Sequence, residues 1–92
     1  MNKTIYKYEL EVFNEQELTL PVGAEILSIQ TQGNAAKLWA LVDVEAKNVK
    51  PYTIFMFGTG HTIPEDKYRS MKYISTFQLN GGALVFHAFL KF

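Results

Sequence analysis

Gly58-Thr59-Gly60-His61 is the stretch of this sequence with the densest potential for chemistry. Two glycines one residue apart let the backbone take positive φ and turn successive N–H groups to one side. Such a nest holds a phosphate or a carboxylate. Thr59 adds a hydroxyl, and His61 adds a ring that donates or stacks. The stretch lacks the Gly-Lys-Ser/Thr ending and the long following helix of a P-loop, and the plain alternative is a strand exit that needs glycines for a bulge. Shortly downstream, Lys67, Tyr68, Arg69, Lys72 and Tyr73 set cations beside aromatics, the combination that pairs phosphate and stacks a nucleobase. The alternative for these is a solvated loop. On the ligand reading, Gly58, Thr59 and Gly60 supply backbone and hydroxyl donors. His61, Arg69 and Lys72 then meet phosphate, and Tyr68 or Tyr73 stacks on a base.

Other chemistries find less support. His87, flanked by Phe86 and Phe89, reads as a core or interface histidine. His61 and His87 have no third ligand at metal-site spacing, so no metal and no cofactor is expected. Ser70, Ser75, Asp43 and Asp66 supply the residue types of a catalytic triad, but no Gly-x-Ser-x-Gly elbow is present. The expected protein is not an enzyme.

Composition sets the frame around these residues. Ninety-two residues make one domain, with a core thin enough that oligomerisation is a natural source of stability. There is no cysteine, which suits a cytoplasmic protein and leaves no thiolate metal site. Residues 1–46 carry a net charge of −4 and residues 47–92 a net charge of +4, for a total of zero. A balanced total gives no field for a long nucleic acid. The split suits either separately solvated faces, a local basic patch, or opposite faces that meet between subunits. No stretch approaches the ~20 apolar residues of a membrane helix.

The elements that must position the site are strands. Residues 4–12 alternate, with Tyr6, Tyr8, Leu10 and Val12 on one face. Residues 17–20 alternate again up to Pro21, so Tyr6 to Leu20 reads as a hairpin. In residues 25–32, Leu27, Ile29 and Thr31 share a face, and Gly33-Asn34 is a turn. Residues 38–44, 52–57 and 83–92 are apolar on both faces, which implies cover on both sides. In a chain too short for three layers, that points to a subunit interface. Pro64-Glu65-Asp66 can start one short helical turn within 64–70. Residues 73–79 form a strand, and Asn80-Gly81 is the strongest hairpin signal. The sum is an all-β domain of about seven strands, a small antiparallel sandwich or barrel spanning residues 1–92.

The chain also resembles a family of small phage and prophage proteins of unassigned function. The resemblance rests on Ile26-Leu27-Ser28-Ile29-Gln30, Leu38-Trp39-Ala40-Leu41-Val42-Asp43, Gly58-Thr59-Gly60-His61-Thr62-Ile63-Pro64, Tyr73-Ile74-Ser75-Thr76-Phe77-Gln78 and Gly81-Gly82-Ala83-Leu84-Val85-Phe86-His87. It implies a phage-type accessory protein in the cytoplasm of an infected or lysogenic bacterial host, and it carries no catalytic residues across. Small oligomeric phage proteins that sequester nucleotide immune signals are an analogy of class. The expectation is therefore a homo-oligomer that binds a small anionic molecule, such as a cyclic or linear nucleotide. The rival is a structural or protein-interaction module, a phage assembly factor or an inhibitor docking on a host protein.

Overall fold

A computed structural model describes residues 2–92. Seven strands form two antiparallel sheets, with one short helix. The first sheet has the order β1 (Lys3–Glu9), β4 (Ala35–Asp43), β3 (Glu25–Gln32). The second has the order β2 (Glu15–Pro21), β5 (Val49–Gly58), β7 (Leu84–Lys91), β6 (Met71–Leu79), with α1 (Glu65–Arg69) leading into β6. Of the small all-β sandwich or barrel read from alternation, the two-sheet arrangement is the one found. No helix among the described residues is long and apolar enough to cross a membrane.

The turns behave as their residue types require. Gly33 and Asn34 both take positive φ, 60° and 61°, the requirement of the two-residue turn whose twist matches its flanking strands. They join β3 to β4. Asn80, Gly81 and Gly82 take φ of 53°, 65° and 95° between β6 and β7.

One expected pairing is absent. Residues 6–20 do not form a hairpin, because β1 pairs with β4 and β2 with β5. Residues 10–14 cross between the sheets instead. The Leu10 N–H donates to Ala36 O at one end, and the Met56 N–H to Asn14 O at the other. Val12 on this crossing is exposed. A second departure lies in β3. A bulge between Ile26 and Ser28 makes Leu27 the extra residue, so Leu27 is exposed while Ile29 is fully buried.

The core lies between the sheets. Ala36, Leu38, Ala40 and Val42 of β4 meet Ile54, Met56, Phe77 and Ala88 of the other sheet. The two sheets also meet edge to edge where β3 runs alongside β6. No backbone ladder joins them there. Side chains bridge the seam: the Ile29 N–H donates to Ser75 Oγ at 3.1 Å, Thr31 Oγ1 to Gln78 O, and the Asn80 N–H to Asn34 Oδ1 at 2.7 Å. Ser75 is the buried polar residue of this seam. Ser75→Ala strands the Ile29 amide, and an unpaired buried donor costs about 1–3 kcal/mol. Urea denaturation should show that loss; a loss near zero would mean that water reaches the seam.

Candidate functional site

The four-stranded sheet has a second face, turned away from the core, and chemistry gathers there. Strand parity sends Phe55 and Phe57 of β5, Val85, His87 and Phe89 of β7, and Tyr73 and Thr76 of β6 to this side. Helix α1 and Ile63 cover one end. Phe55, Met71 and Phe89 are buried beneath them, with Phe57 and Ile63 packed alongside. Phe89 is the hub, with Phe57, Tyr68 and Tyr73 edge-on to its ring at centroid distances of 5.8, 6.4 and 5.6 Å. Edge-to-face rings at such distances attract through their quadrupoles. Lys67 sets its Nζ 4.6 Å from the Phe55 ring centroid, a cation–π contact that puts positive charge beside the cluster.

Across the uncovered part of this face runs a hydrogen-bonded row. Tyr73 OH lies 2.7 Å from Thr76 Oγ1, Thr76 Oγ1 lies 2.9 Å from His87 Nδ1, and His87 Nε2 lies 2.7 Å from Thr59 Oγ1. A neutral imidazole donates from one nitrogen and accepts at the other, and a hydroxyl does either, so both tautomers complete the row. It holds three hydroxyls and one imidazole and no carboxylate. At the Thr59 end it opens into a cavity of about 290 Å³, with Gly58, Thr59 and His61 on one side and Leu84, Val85 and Phe86 on the other. A second depression of about 460 Å³, with Lys50, Tyr52 and Lys91 in its lining, brings two more cations near a ring but has no hydrogen-bonded row.

The glycine turn serves this site differently from the nest read in the sequence. The Thr59 N–H donates to Val85 O at 3.3 Å, and the His61 N–H to Gly58 O at 3.1 Å. Of the amides meant for an anion, one is therefore spent on β7 and another inside the turn. Gly60 takes φ +88°, which reverses the chain. Gly58 has a steric role: a Cβ there would sit 3.0–3.2 Å from three atoms of the His61 ring. The missing side chain lets that ring lie on the strand end at the cavity wall.

The other expected residues divide. Thr59 and Tyr73 are the two ends of the row, and Tyr68 belongs to the aromatic cluster. Arg69 stays on the helix surface, its Nε 3.1 Å from Glu65 Oε1 with both side chains largely exposed. A pair this open to water contributes little and releases its arginine readily. Lys72 falls outside the site. It pairs with Leu90 in β6, next to Tyr73 in sequence and so on the opposite face. Lys67 and Tyr68 of α1 lie on Phe55 and Phe89 and not over the glycine turn. His87 and Thr76 are the residues that sequence reasoning missed. Their signal was parity, since His87 lies on the Val85–Phe89 face, but Thr76 is a common strand residue.

No curated protein and no solved structure matches this chain. Residues 1–91 match the family model described as Domain of unknown function (DUF7352), and the chain belongs to that family.

Proposed function

We propose that this is a non-enzymatic, phage-type accessory protein of the host cytoplasm that binds and sequesters a small anionic ligand, a nucleotide-derived immune signal being the class that fits best. The observation that carries the reading is the Tyr73–Thr76–His87–Thr59 row beside an aromatic cluster and at the mouth of a cavity. With the Nε2 proton of His87 given to Thr59, the Thr59 hydroxyl hydrogen is free for a ligand oxygen. The absence of a carboxylate from the row removes a source of repulsion for an anion. Tyr68 and Tyr73, each about half exposed, offer faces for a base, and Lys67 and Arg69 offer charge at the rim. The cavity sits at the small end of the roughly 300–1,000 Å³ that ligand sites span. It suits one phosphate or one sugar, with the base outside on the aromatic cluster.

Native mass spectrometry against a panel of cyclic and linear nucleotides tests this. A discrete adduct, stoichiometric with subunits and weakened by His61→Ala or Arg69→Ala without unfolding, is expected. A protein that stays bare against the whole panel overturns the reading. The second reading, a structural or protein-interaction module, has its own observation. The outer face of the three-stranded sheet leaves Trp39 and Leu41 half-buried and Ile5 and Leu27 exposed, with nothing from the described residues covering them.

A further inference from the structure

Strand β1 ends the three-stranded sheet, and its second edge has no ladder partner among the described residues. Its backbone polarity can be read from two bonds. The Val44 N–H donates to Asn2 O at 3.2 Å, and the Leu10 N–H to Ala36 O at 3.0 Å. Both continue the β1–β4 register. Alternation then points the backbone groups of Thr4, Tyr6 and Tyr8 at β4, and those of Lys3, Ile5, Lys7 and Glu9 outward. The outward edge is lightly guarded. Lys7, the central cation of the strand, turns its Nζ back across the sheet to Gln32 Oε1 at 2.7 Å. The side chains of Ile5 and Tyr6 are 55% and 47% exposed, far more than a finished edge of a thin domain needs. The other terminal strand, β2, is guarded by Glu15, Glu17 and the donor-less Pro21.

We infer that β1 pairs antiparallel with β1 of a second copy about a twofold axis at Tyr6, joining the two three-stranded sheets into one. The sequence Lys3-Thr4-Ile5-Tyr6-Lys7-Tyr8-Glu9 is complementary to itself in that register. Lys3 falls opposite Glu9 at both ends, Ile5 opposite the stem of Lys7, and Thr4 opposite Tyr8. Odd residues meet odd residues, so the outward N–H and C=O groups of both copies are matched, in about eight hydrogen bonds. Charge selects this register over its neighbours. A slip of two residues one way sets Lys3 against Lys7, and a slip the other way sets Lys7 against Lys7. Like charges directly opposite destabilise a strand pair.

The side chains agree. Tyr6 meets its symmetry mate in a non-hydrogen-bonded pair, where Cα atoms come to about 4.5 Å and side chains are closest. Tyr6 and Tyr8 already lie edge-to-face within one copy, 6.5 Å between centroids at 67°, so two copies form a cluster of four tyrosines. Burial, and then the neighbouring Tyr6, push the Tyr8 phenol above its ordinary value, which keeps that member neutral. On the opposite face Ile5 lies across from Leu41, and Lys7 across from Trp39. Pairing brings the apolar patches of the two copies together over the β1 strands.

The chain has no cysteine, so one introduced thiol reports one contact. Under a glutathione redox buffer, Tyr6→Cys should form a covalent dimer. Thr4→Cys or Tyr8→Cys alone should not, while an equimolar mixture of those two should cross-link. In sedimentation equilibrium the unmodified chain should dimerise, and Lys3→Glu should weaken the dimer about tenfold, as two attractive pairs become repulsive. Adding Glu9→Lys should restore it. Lys3 and Glu9 are exposed, and the Glu9–Lys37 pair that Glu9→Lys removes is a surface one worth little, so the fold should survive these charge variants, which circular dichroism checks. A monomer at all concentrations overturns the inference. So does a dimer indifferent to Lys3→Glu, or one in which Tyr6→Cys cross-links no faster than Thr19→Cys on β2.

Discussion

Replacing Phe77 by alanine is expected to remove about 3–5 kcal/mol of stability, close to the whole margin of a domain this size. Phe77 is 1% exposed and among the largest fully buried side chains. Its ring is stacked on Phe86 of the paired strand, 5.9 Å between centroids and 30° between planes. It fills the core beside the β3–β6 seam, where side-chain bridges replace a ladder, so the void has little backbone stiffness around it. Urea denaturation followed by circular dichroism should show the midpoint collapse, with a fall in Tm of the order of 20 °C. Phe77→Leu, which keeps most of the volume, should lose less than half as much. A loss under about 1 kcal/mol for the alanine variant would mean that the sheets do not share this core.

That prediction rests on a part of the fold that was legible in the sequence. Leu38 to Val42 and Ile54 to Met56 announce themselves as strands by short continuous apolar runs; burial alternates along β4, whereas Ile54, Phe55 and Met56 are buried in succession. Gly33-Asn34 and Asn80-Gly81 announce turns because few residues other than glycine and asparagine tolerate positive φ. What the pattern does not encode is who pairs with whom. Asn14-Glu15-Gln16 looks like a hairpin turn, yet the strands on either side join different sheets. Alternation tells a strand which face it buries and says nothing of which neighbour lies beside it. The two-sided strands show the same limit. The second faces of β5 and β7 are covered at one end within the chain, by α1 and Ile63 over Phe55 and Phe89. Only β4, among the three, leaves its second face, with Trp39 and Leu41, without cover from the described residues.

The site divides along the same line. Thr59 and Tyr73 were legible as polar groups near glycines and cations, but their connection runs through His87 of β7 and Thr76 of β6 to the turn that follows β5. No local spacing reports such a contact. Lys72 is the instructive failure. Starting the strand at Tyr73 hid the fact that β6 already begins at Met71. Once a strand starts there, adjacent Lys72 and Tyr73 cannot share a face. The nest has fewer amides to offer for a related reason: a glycine turn that closes a strand end uses some of its own amides to do so.

His87→Ala should weaken ligand binding by about a hundredfold, the scale of a central interface group, and cost the fold only about 1 kcal/mol. His87 is half-buried at the centre of the row and bonds hydroxyls on both sides. Removing it frees Thr59 to rotate and leaves Thr76 tied to Tyr73 alone. The hydroxyl at the cavity mouth then has no fixed direction, and a ligand oxygen must order it on binding. His87→Asn separates this role from mere bulk. Its amide can hold one of the two hydroxyls but cannot span both, so it should recover part of the affinity and none of the row's continuity. The measurement is titration calorimetry with whichever nucleotide of the panel binds, alongside a thermal melt of each variant. A large loss of affinity with the melt nearly unmoved assigns the row to the ligand. Unchanged affinity with a large drop in melting temperature assigns it to the sheet, and the ligand site must then be sought elsewhere, first at the lysine-flanked depression around Tyr52.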